Sequence, residues 1–442
     1  MEHDRRPADF ADRTPPLDEL TRHLSPQIEG LDGAELVCGV PCYDSEATVG
    51  NVVRAIEAGL RRHYPDVPSA IVVLDSGSND DSVEVGLRAS TAGEEDELLI
   101  PRTAPLPARA STTLEGIRGK GNALRPLFTI GRAIGARALS CFDSDLRSIT
   151  PGWPELLLAP VLEHGVDHVT PMYLRHKHDA TITNSVAYPL TSALYGTAVR
   201  QPIGGDFGFS GRMATAWAEQ DEVWTTEVAR FGIDIWMTTS AIAGGARVAQ
   251  SRLGSKLHAP KDPGEHLGPM FHQVVGTLFS LAGRYHDVWT AVDSIEPAPV
   301  YGFPLASGTD PLAVDVPGLI GRFRDGVDAW AGELETSLET ATLQRVRSVA
   351  GGSDDPARFD FPLELWVDTV QDLLVAANVP GTDQHRLIEA MIPLYFARTA
   401  SFVREAEGDD ADAAEARIAT YPRAFLERKD RLRARWDEAL GR

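Results

Sequence analysis

The chain has 442 residues, of which 43% are hydrophobic and 7% aromatic, enough to bury a large core and fill two domains. Its formal net charge of −22 excludes general nucleic-acid binding, which needs a basic face, and excludes docking on anionic lipid. It has no run of about 20 apolar residues, so no membrane span is expected, and its three cysteines are too few for a disulfide framework and fit a reducing cytoplasm.

Residues 1–33 are charged and Pro-bearing, lack the apolar core of a signal peptide, and read as a tail with little order. Leu36 to Val40 reads as a short buried strand that Pro41 stops. From Thr48 to Arg62, Val49, Val52, Val53, Ile56 and Leu60 fall at helical spacing. Ala70 to Leu74 predicts a second strand ending at Asp75, and Ser82 to Ala89 a helix. Asn122 to Ala136 predicts another helix, with Pro126 tolerable because it lies near the helix start. The strand Ala138 to Phe142 follows. Strands that alternate with helices and end in polar residues indicate a mostly parallel α/β sheet, whose ligands bind at the carboxyl ends of the strands. Cys38, Cys42 and Cys141 lie in or beside these strands and read as buried small residues rather than nucleophiles. From residue 266 the pattern becomes amphipathic and helical, with apolar stripes at Phe271, Val274, Val275, Leu278 and Phe279, and at Trp366, Val370, Leu373 and Leu374. The expected division is a tail (1–33), an α/β domain (34–265) and a helical region (266–442).

Several polar clusters stand at the predicted strand ends. Pro41-Cys42-Tyr43-Asp44-Ser45-Glu46 serves either a base or ribose, or caps the following helix. Asp75-Ser76-Gly77-Ser78 offers ribose or base contacts, or is a turn held by its own aspartate. In Gly119-Lys120-Gly121 a lysine between glycines at a helix start is suited to a phosphate; the alternative is a flexible basic turn. Asp143-Ser144-Asp145 puts two carboxylates one residue apart just past a strand. A hard cation, Mg²⁺ or Mn²⁺, and a diphosphate meet at such a place, though an acidic chain also makes such loops by chance.

Further along, Arg175-His176-Lys177-His178-Asp179-Ala180-Thr181-Ile182-Thr183 is unusually basic. Arg175 is suited to grip an anionic acceptor through a carboxylate; His176 and His178 read as surface histidines, with a metal site as the rival. Gly204-Gly205-Asp206 permits a close backbone approach to a ligand, or is an ordinary loop. Gly232-Ile233-Asp234 precedes a helix. His258, in Lys256-Leu257-His258, is a candidate second metal ligand as a neutral imidazole.

Taken in order over roughly residues 35–280, these motifs resemble the GT-A glycosyltransferases that make glucosylglycerate and mannosylglycerate compatible solutes. Leu74 to Ser78 and Gly119-Lys120-Gly121 look like glucosyl-3-phosphoglycerate synthase. Arg175 with Asp179-Ala180-x-Ile182-Thr183 looks like the acceptor loop of mannosylglycerate synthase, to which Gln201 to Gly205 and Gly232 to Asp234 are also similar. The resemblance implies a GT-A (Rossmann-like) domain that binds a nucleotide-sugar donor, followed by a mainly helical region. It implies Pro41, Tyr43, Glu46, Asp75 and Ser78 at the nucleoside and Lys120 at the diphosphate. Ser144, Gly204 and Gly205 would complete the donor site, with Asp143 near the ribose or the sugar. Asp145 and His258 would hold Mg²⁺ or Mn²⁺; Arg175, Asp179 and Thr183 would hold a small carboxylate acceptor, D-glycerate or 3-phosphoglycerate. Asp234 and Asp143 would be the catalytic groups, Asp234 beside the reacting hydroxyl. The implied enzyme is a metal-dependent, retaining hexosyltransferase using UDP- or GDP-glucose or GDP-mannose, cytoplasmic and homodimeric. One departure stands out: Asp206 replaces a glutamate of the family, which shortens the implied sugar contact. The rivals are a glycosyltransferase with another small or a lipid acceptor, a sugar nucleotidyltransferase, and a sugar-nucleotide sensor. A nucleotidyltransferase would carry a Gly-rich basic signature after the first strand, where Pro41 to Glu46 has no basic residue.

Overall fold

The computed structural model describes residues 14–114, 117–257, 263–304, 312–353 and 355–441, with side chains from 268 onward in the third stretch. The chain separates into two compact units. The first comprises Met1–Leu174, Gly204–Lys261 and Pro299–Ser307; the second comprises Arg175–Ile203, Asp262–Ala298 and Gly308–Arg442. Residues 175–203 thus group with the helical part although they lie inside the 34–265 stretch.

The strands are β1 (Leu36–Cys42), β2 (Ser69–Asp75), β3 (Ala108–Thr113), β4 (Ala138–Cys141), β5 (His168–Leu174), β6 (Thr197–Ala198), β7 (Phe207–Ser210), β8 (Val248–Ser255), β9 (Glu296–Pro297) and β10 (Val300–Tyr301). The first unit is built on an eight-stranded sheet of order β10-β8-β5-β7-β4-β1-β2-β3. It is the expected mostly parallel α/β sheet, with one departure. β7 runs antiparallel to both β4 and β5, while the other pairs are parallel. β1 is buried along its whole length and β2 over all but Ser69, as expected of strands covered on both faces. β1 also runs two residues past its predicted stop, with Pro41 opposite Leu74 and Cys42 opposite Asp75. Its ladder with β4 ends at Gly39, so Pro41, which has no N–H to give, stands where β1 is paired on one side only.

The helix Glu46–His63 buries Val49, Val52, Val53, Ile56 and Leu60, the residues that carried its spacing. These join β1, β2 and Phe142, Trp153 and Leu157 in one core cluster. Of the expected tail, residues 1–13 lie outside the described residues, and residues 14–33 are more ordered than their charge suggests. Leu17–His23 and Ser25–Gly30 are helical, and Leu17, Leu20, Leu24 and Leu31 are buried. The Leu17 N–H is capped by Asp221, 3.1 Å away and over two hundred residues on, a partner no local pattern signals. All three cysteines are unpaired and buried, and burial pushes the Cys38 and Cys42 thiols up to about 12.

The second unit is mainly helical, as expected. Its long helices include Pro263–Arg284, Val316–Ala329, Leu363–Asn378 and Gln384–Glu405. A short pair, β6 with β9, is its only sheet among the described residues. Among the described residues no helix is long and apolar enough to cross a membrane.

Candidate active site

The carboxyl ends of β1, β2 and β4 converge in the first unit. Asp75 ends β2 and folds back on its own turn. Its carboxylate accepts from the Gly77 and Ser78 N–H groups, each at 3.0 Å, and from Thr113 Oγ1 at 3.2 Å. Ser78 Oγ then accepts from the Asp44 N–H at 3.0 Å, and Asp44 Oδ1 from the Asn79 N–H at 2.7 Å. Glu46 and the Asp80-Asp81 pair exchange N–H and carboxylate in the same way, at 3.1 and 3.2 Å. The two loops are therefore laced together. The cap expected from Asp44 or Ser45 is absent: the helix Glu46–His63 has no side-chain cap bond. Instead Ser45 Oγ bonds Ser144 Oγ at 2.8 Å and ties the β1 loop to the acidic triplet. Pro41, Tyr43, Glu46, Asp75, Ser78 and Ser144 are thus brought to one edge, with Tyr43 46% exposed above it.

Beside them lies a buried charge cluster. Lys120, the first residue of the helix Lys120–Ile134, puts Nζ 2.8 Å from Asp143 Oδ1, 3.1 Å from Asp234 Oδ1 and 2.7 Å from the Gly205 carbonyl. From the end of β8, Lys256 Nζ reaches Asp143 Oδ2 at 2.7 Å, Asp206 Oδ2 at 2.9 Å and the Gly204 carbonyl at 2.9 Å. Tyr173 donates its hydroxyl to Asp206 Oδ2, and Asp206 Oδ1 accepts the Asp143 N–H at 2.7 Å. Three carboxylates therefore face two ammonium groups, and Asp143 bridges the lysines. Lys120, Asp143, Asp234, Gly204 and Gly205, all candidates from the sequence, come together here. Lys256 and Tyr173 join them with no role assigned by any motif. The one available signal was a lysine after a β-strand in an acidic chain, and its partners are supplied only by the fold.

Two glycines admit protein atoms at close range. A Cβ on Gly121 would lie 1.8 Å from the Val228 carbonyl oxygen, and the Gly121 N–H donates to the Arg230 carbonyl at 3.1 Å. The glycine lets the helix start press on the 227–230 turn and so fixes where Lys120 begins. Gly205 has φ +96°, and its Cβ would lie 2.4 Å from Asp143 Oδ2. The close approach it permits is to Asp143.

Burial and charge oppose each other throughout this cluster. Burial alone would lower the Lys120 pKa, but Asp143 and Asp234 override it and hold the ammonium well above its usual value. Burial would raise the Asp143 carboxyl, but the two lysines hold it well below the usual carboxylate range. Asp206 and Asp234 are raised, because for them burial outweighs the facing lysines.

Asp145 is half-buried in the turn after β4. His258 lies outside the described residues. Its neighbour Leu257 is held next to that turn: its carbonyl accepts from the Arg147 N–H at 2.8 Å, and its own N–H donates to Ser148 Oγ at 2.9 Å. Among the described residues no group of three or more His, Cys, Asp or Glu side chains is placed to hold a metal ion.

The residues that the resemblance puts at the acceptor lie in the second unit. Arg175 Nη1 and Asp179 Oδ2 are 3.0 Å apart. Ala180 adopts φ 53°, uncommon outside glycine. Thr183 is buried and heads a π-helical turn, Thr183–Ala187, a feature common at functional sites. Lys177 is spent elsewhere. Its ammonium donates to the Ala406, Glu407 and Asp409 carbonyls at 2.6, 3.3 and 2.7 Å, closing the end of the helix Gln384–Glu405.

No family model matches the chain. Among curated proteins it is similar to glucosyl-3-phosphoglycerate synthase of Mycolicibacterium smegmatis, 28% identical over 264 residues, which are 55% of this chain and 76% of that protein. The chain resembles that enzyme, as its motifs led us to expect. Crystal structures of glucosyl-3-phosphoglycerate synthase from Mycobacterium tuberculosis are also similar. The complex with Mn²⁺, UDP and glucosyl-3-phosphoglycerate is 23% identical, covering 62% of this chain and 87% of its own, with TM-score 0.43. The complex with Mn²⁺, UDP-glucose and phosphoglyceric acid is 24% identical, covering 62% and 86%, with TM-score 0.42.

Proposed function

We propose that this chain is a metal-dependent hexosyltransferase that moves a hexose from a nucleotide-diphosphate sugar to a small hydroxy acid, D-glycerate or 3-phosphoglycerate. The observation that carries this reading is the Lys120–Asp143–Asp234 cluster beside the laced β1 and β2 loops, in a chain 28% identical to a glucosyl-3-phosphoglycerate synthase. Carboxyl ends of strands are where α/β sheets take nucleotides. In so acidic a chain, a buried lysine there is suited to a diphosphate.

Lys120 would give its charge to the diphosphate. Asp143, already neutralised by two lysines, would orient the ribose or sugar. Asp145, in the turn after β4, would offer a hard oxygen to Mg²⁺ or Mn²⁺, with His258 as the proposed second ligand. So small a protein donor set fits a cation that takes its remaining ligands from phosphate oxygens and water. When bound, that ion neutralises charge on the departing nucleotide. Asp234, held by Lys120, would orient the acceptor hydroxyl rather than deprotonate it, and the proton would leave with the phosphate. Retention at the anomeric carbon follows from the resemblance alone. Arg175 would grip the acceptor carboxylate without help from Lys177. The three unpaired buried thiols fit the cytoplasm, and the homodimer implied by the resemblance is a matter for sedimentation. The test is nucleotide release from UDP-glucose, GDP-glucose and GDP-mannose, with and without each glycerate and Mg²⁺. Release that ignores both glycerates, or synthesis of the nucleotide sugar instead, would refute the proposal.

A further inference from the structure

We infer that Asp206 and Tyr173 form an internal brace that sets Lys256 and the Asp143 backbone, so that Asp206 positions the donor site and does not contact the sugar. The inference rests on the donor-site reading above and departs from the sugar contact that the resemblance implied for Asp206.

Asp206 is completely buried, and protein donors already occupy its oxygens. Oδ1 accepts the Asp143 N–H at 2.7 Å; Oδ2 accepts Lys256 Nζ at 2.9 Å and the Tyr173 hydroxyl. A carboxylate offers about four acceptor directions, so little capacity remains for a ligand. Lys256 is equally committed. Its three N–H bonds are matched by Asp206 Oδ2, by Asp143 Oδ2 at 2.7 Å and by the Gly204 carbonyl at 2.9 Å. The ammonium also sits 5.2 Å from the centre of the Tyr173 ring. Tyr173 is buried, with its ring packed on Trp153 at 5.6 Å, which anchors the brace in the sheet core. One carboxylate thus holds the main chain at Asp143, two residues before Asp145, and the head of the second lysine. Loss of the brace frees both, and the effect reaches the diphosphate end of the donor whether or not a sugar is attached.

That last point separates a brace from a sugar contact. The variants are Asp206→Asn, which keeps shape and loses charge, and Tyr173→Phe, which loses only the hydroxyl. Binding of UDP and of GDP, each with Mn²⁺, and of the corresponding glucose nucleotides is measured by calorimetry, with thermal melting to verify folding. The brace predicts that Asp206→Asn weakens the free diphosphate and the nucleotide sugar alike, by about tenfold or more. Tyr173→Phe should act in the same direction, with a smaller loss. Should Asp206→Asn fail to fold, Tyr173→Phe decides the matter, because its hydroxyl meets Asp206. Unchanged affinity for the free diphosphate, with or without a loss confined to the nucleotide sugar, overturns the brace and leaves the transferase reading intact. A parent protein that binds neither diphosphate overturns both.

Discussion

Lys120 faces Asp143, Asp234 and a carbonyl from a position only 11% exposed. Two consequences follow from its removal, and they can be measured apart. Lys120→Ala leaves Asp234 buried without its nearest positive charge; breaking a buried pair in this way costs about 3–5 kcal/mol, which melting reads. Below the melting point the same variant should bind free nucleotide and nucleotide sugar about ten- to a hundredfold more weakly, the value of one charge-assisted contact. Unchanged nucleotide affinity in a folded variant would remove Lys120 from the donor site. Arg175 makes a different prediction. Arg175→Ala should strongly raise the acceptor KM and leave nucleotide affinity nearly as it was. Arg175→Lys should be nearly as poor, because an ammonium lacks the two-pronged fork. Rescue by lysine would show that charge alone matters there. Lys120, Asp143 and Asp234 were legible because each follows a recognisable strand or begins a helix. Lys256 and Tyr173 were not: Lys256 stands in a motif that points to His258, Tyr173 stands in none, and their partners lie 50 or more and 33 residues away in the chain.

The helix Lys120–Ile134 owes its position to Gly121, whose missing Cβ admits the Val228 carbonyl. Gly121→Ala gains in helix propensity but must push that carbonyl aside. The overlap should win: a loss of about 1–3 kcal/mol in urea unfolding, and lower turnover because Lys120 moves with the helix start. A variant as stable and active as the parent would mean that the 227–230 turn yields freely. The apolar runs of β1, β2 and β4 and the 3.6-residue spacing of the helices were readable because those patterns are local. β7 was not. Its four residues, Phe207–Ser210, follow a glycine turn and carry no alternation long enough to read. Its antiparallel place between β4 and β5 is decided by pairing with segments some 40 to 70 residues earlier. The helices at Leu17–His23 and Ser25–Gly30 escaped for a similar reason, since the few leucines in and beside them, Leu17, Leu20, Leu24 and Leu31, are too sparse to set a period and are buried only in the fold.

A chain of net charge −22 repels anions, so its positive groups need to be concentrated where an anionic substrate lands. In the sheet-bearing unit two lysines gather at three carboxylates beside the nucleotide-suited loops. In the helical unit Arg175 stands with Asp179, while Lys177 serves the fold. The grouping of residues 175–203 with the helices depends on contacts made across long stretches of sequence, so no change in composition marks it. The proposed function requires that this molecule transfer hexose from a nucleotide sugar with a divalent cation at Asp145. The most direct measurement is nucleotide release by the parent and by folded Asp145→Ala, supplied with glucose and mannose nucleotides and both glycerates, before EDTA, after EDTA, and after added Mn²⁺ or Mg²⁺. The expected result is glycerate-dependent release that EDTA abolishes and either cation restores, and little release by Asp145→Ala under any condition. Full turnover in metal-free protein, or an Asp145→Ala variant as active as the parent, would contradict it.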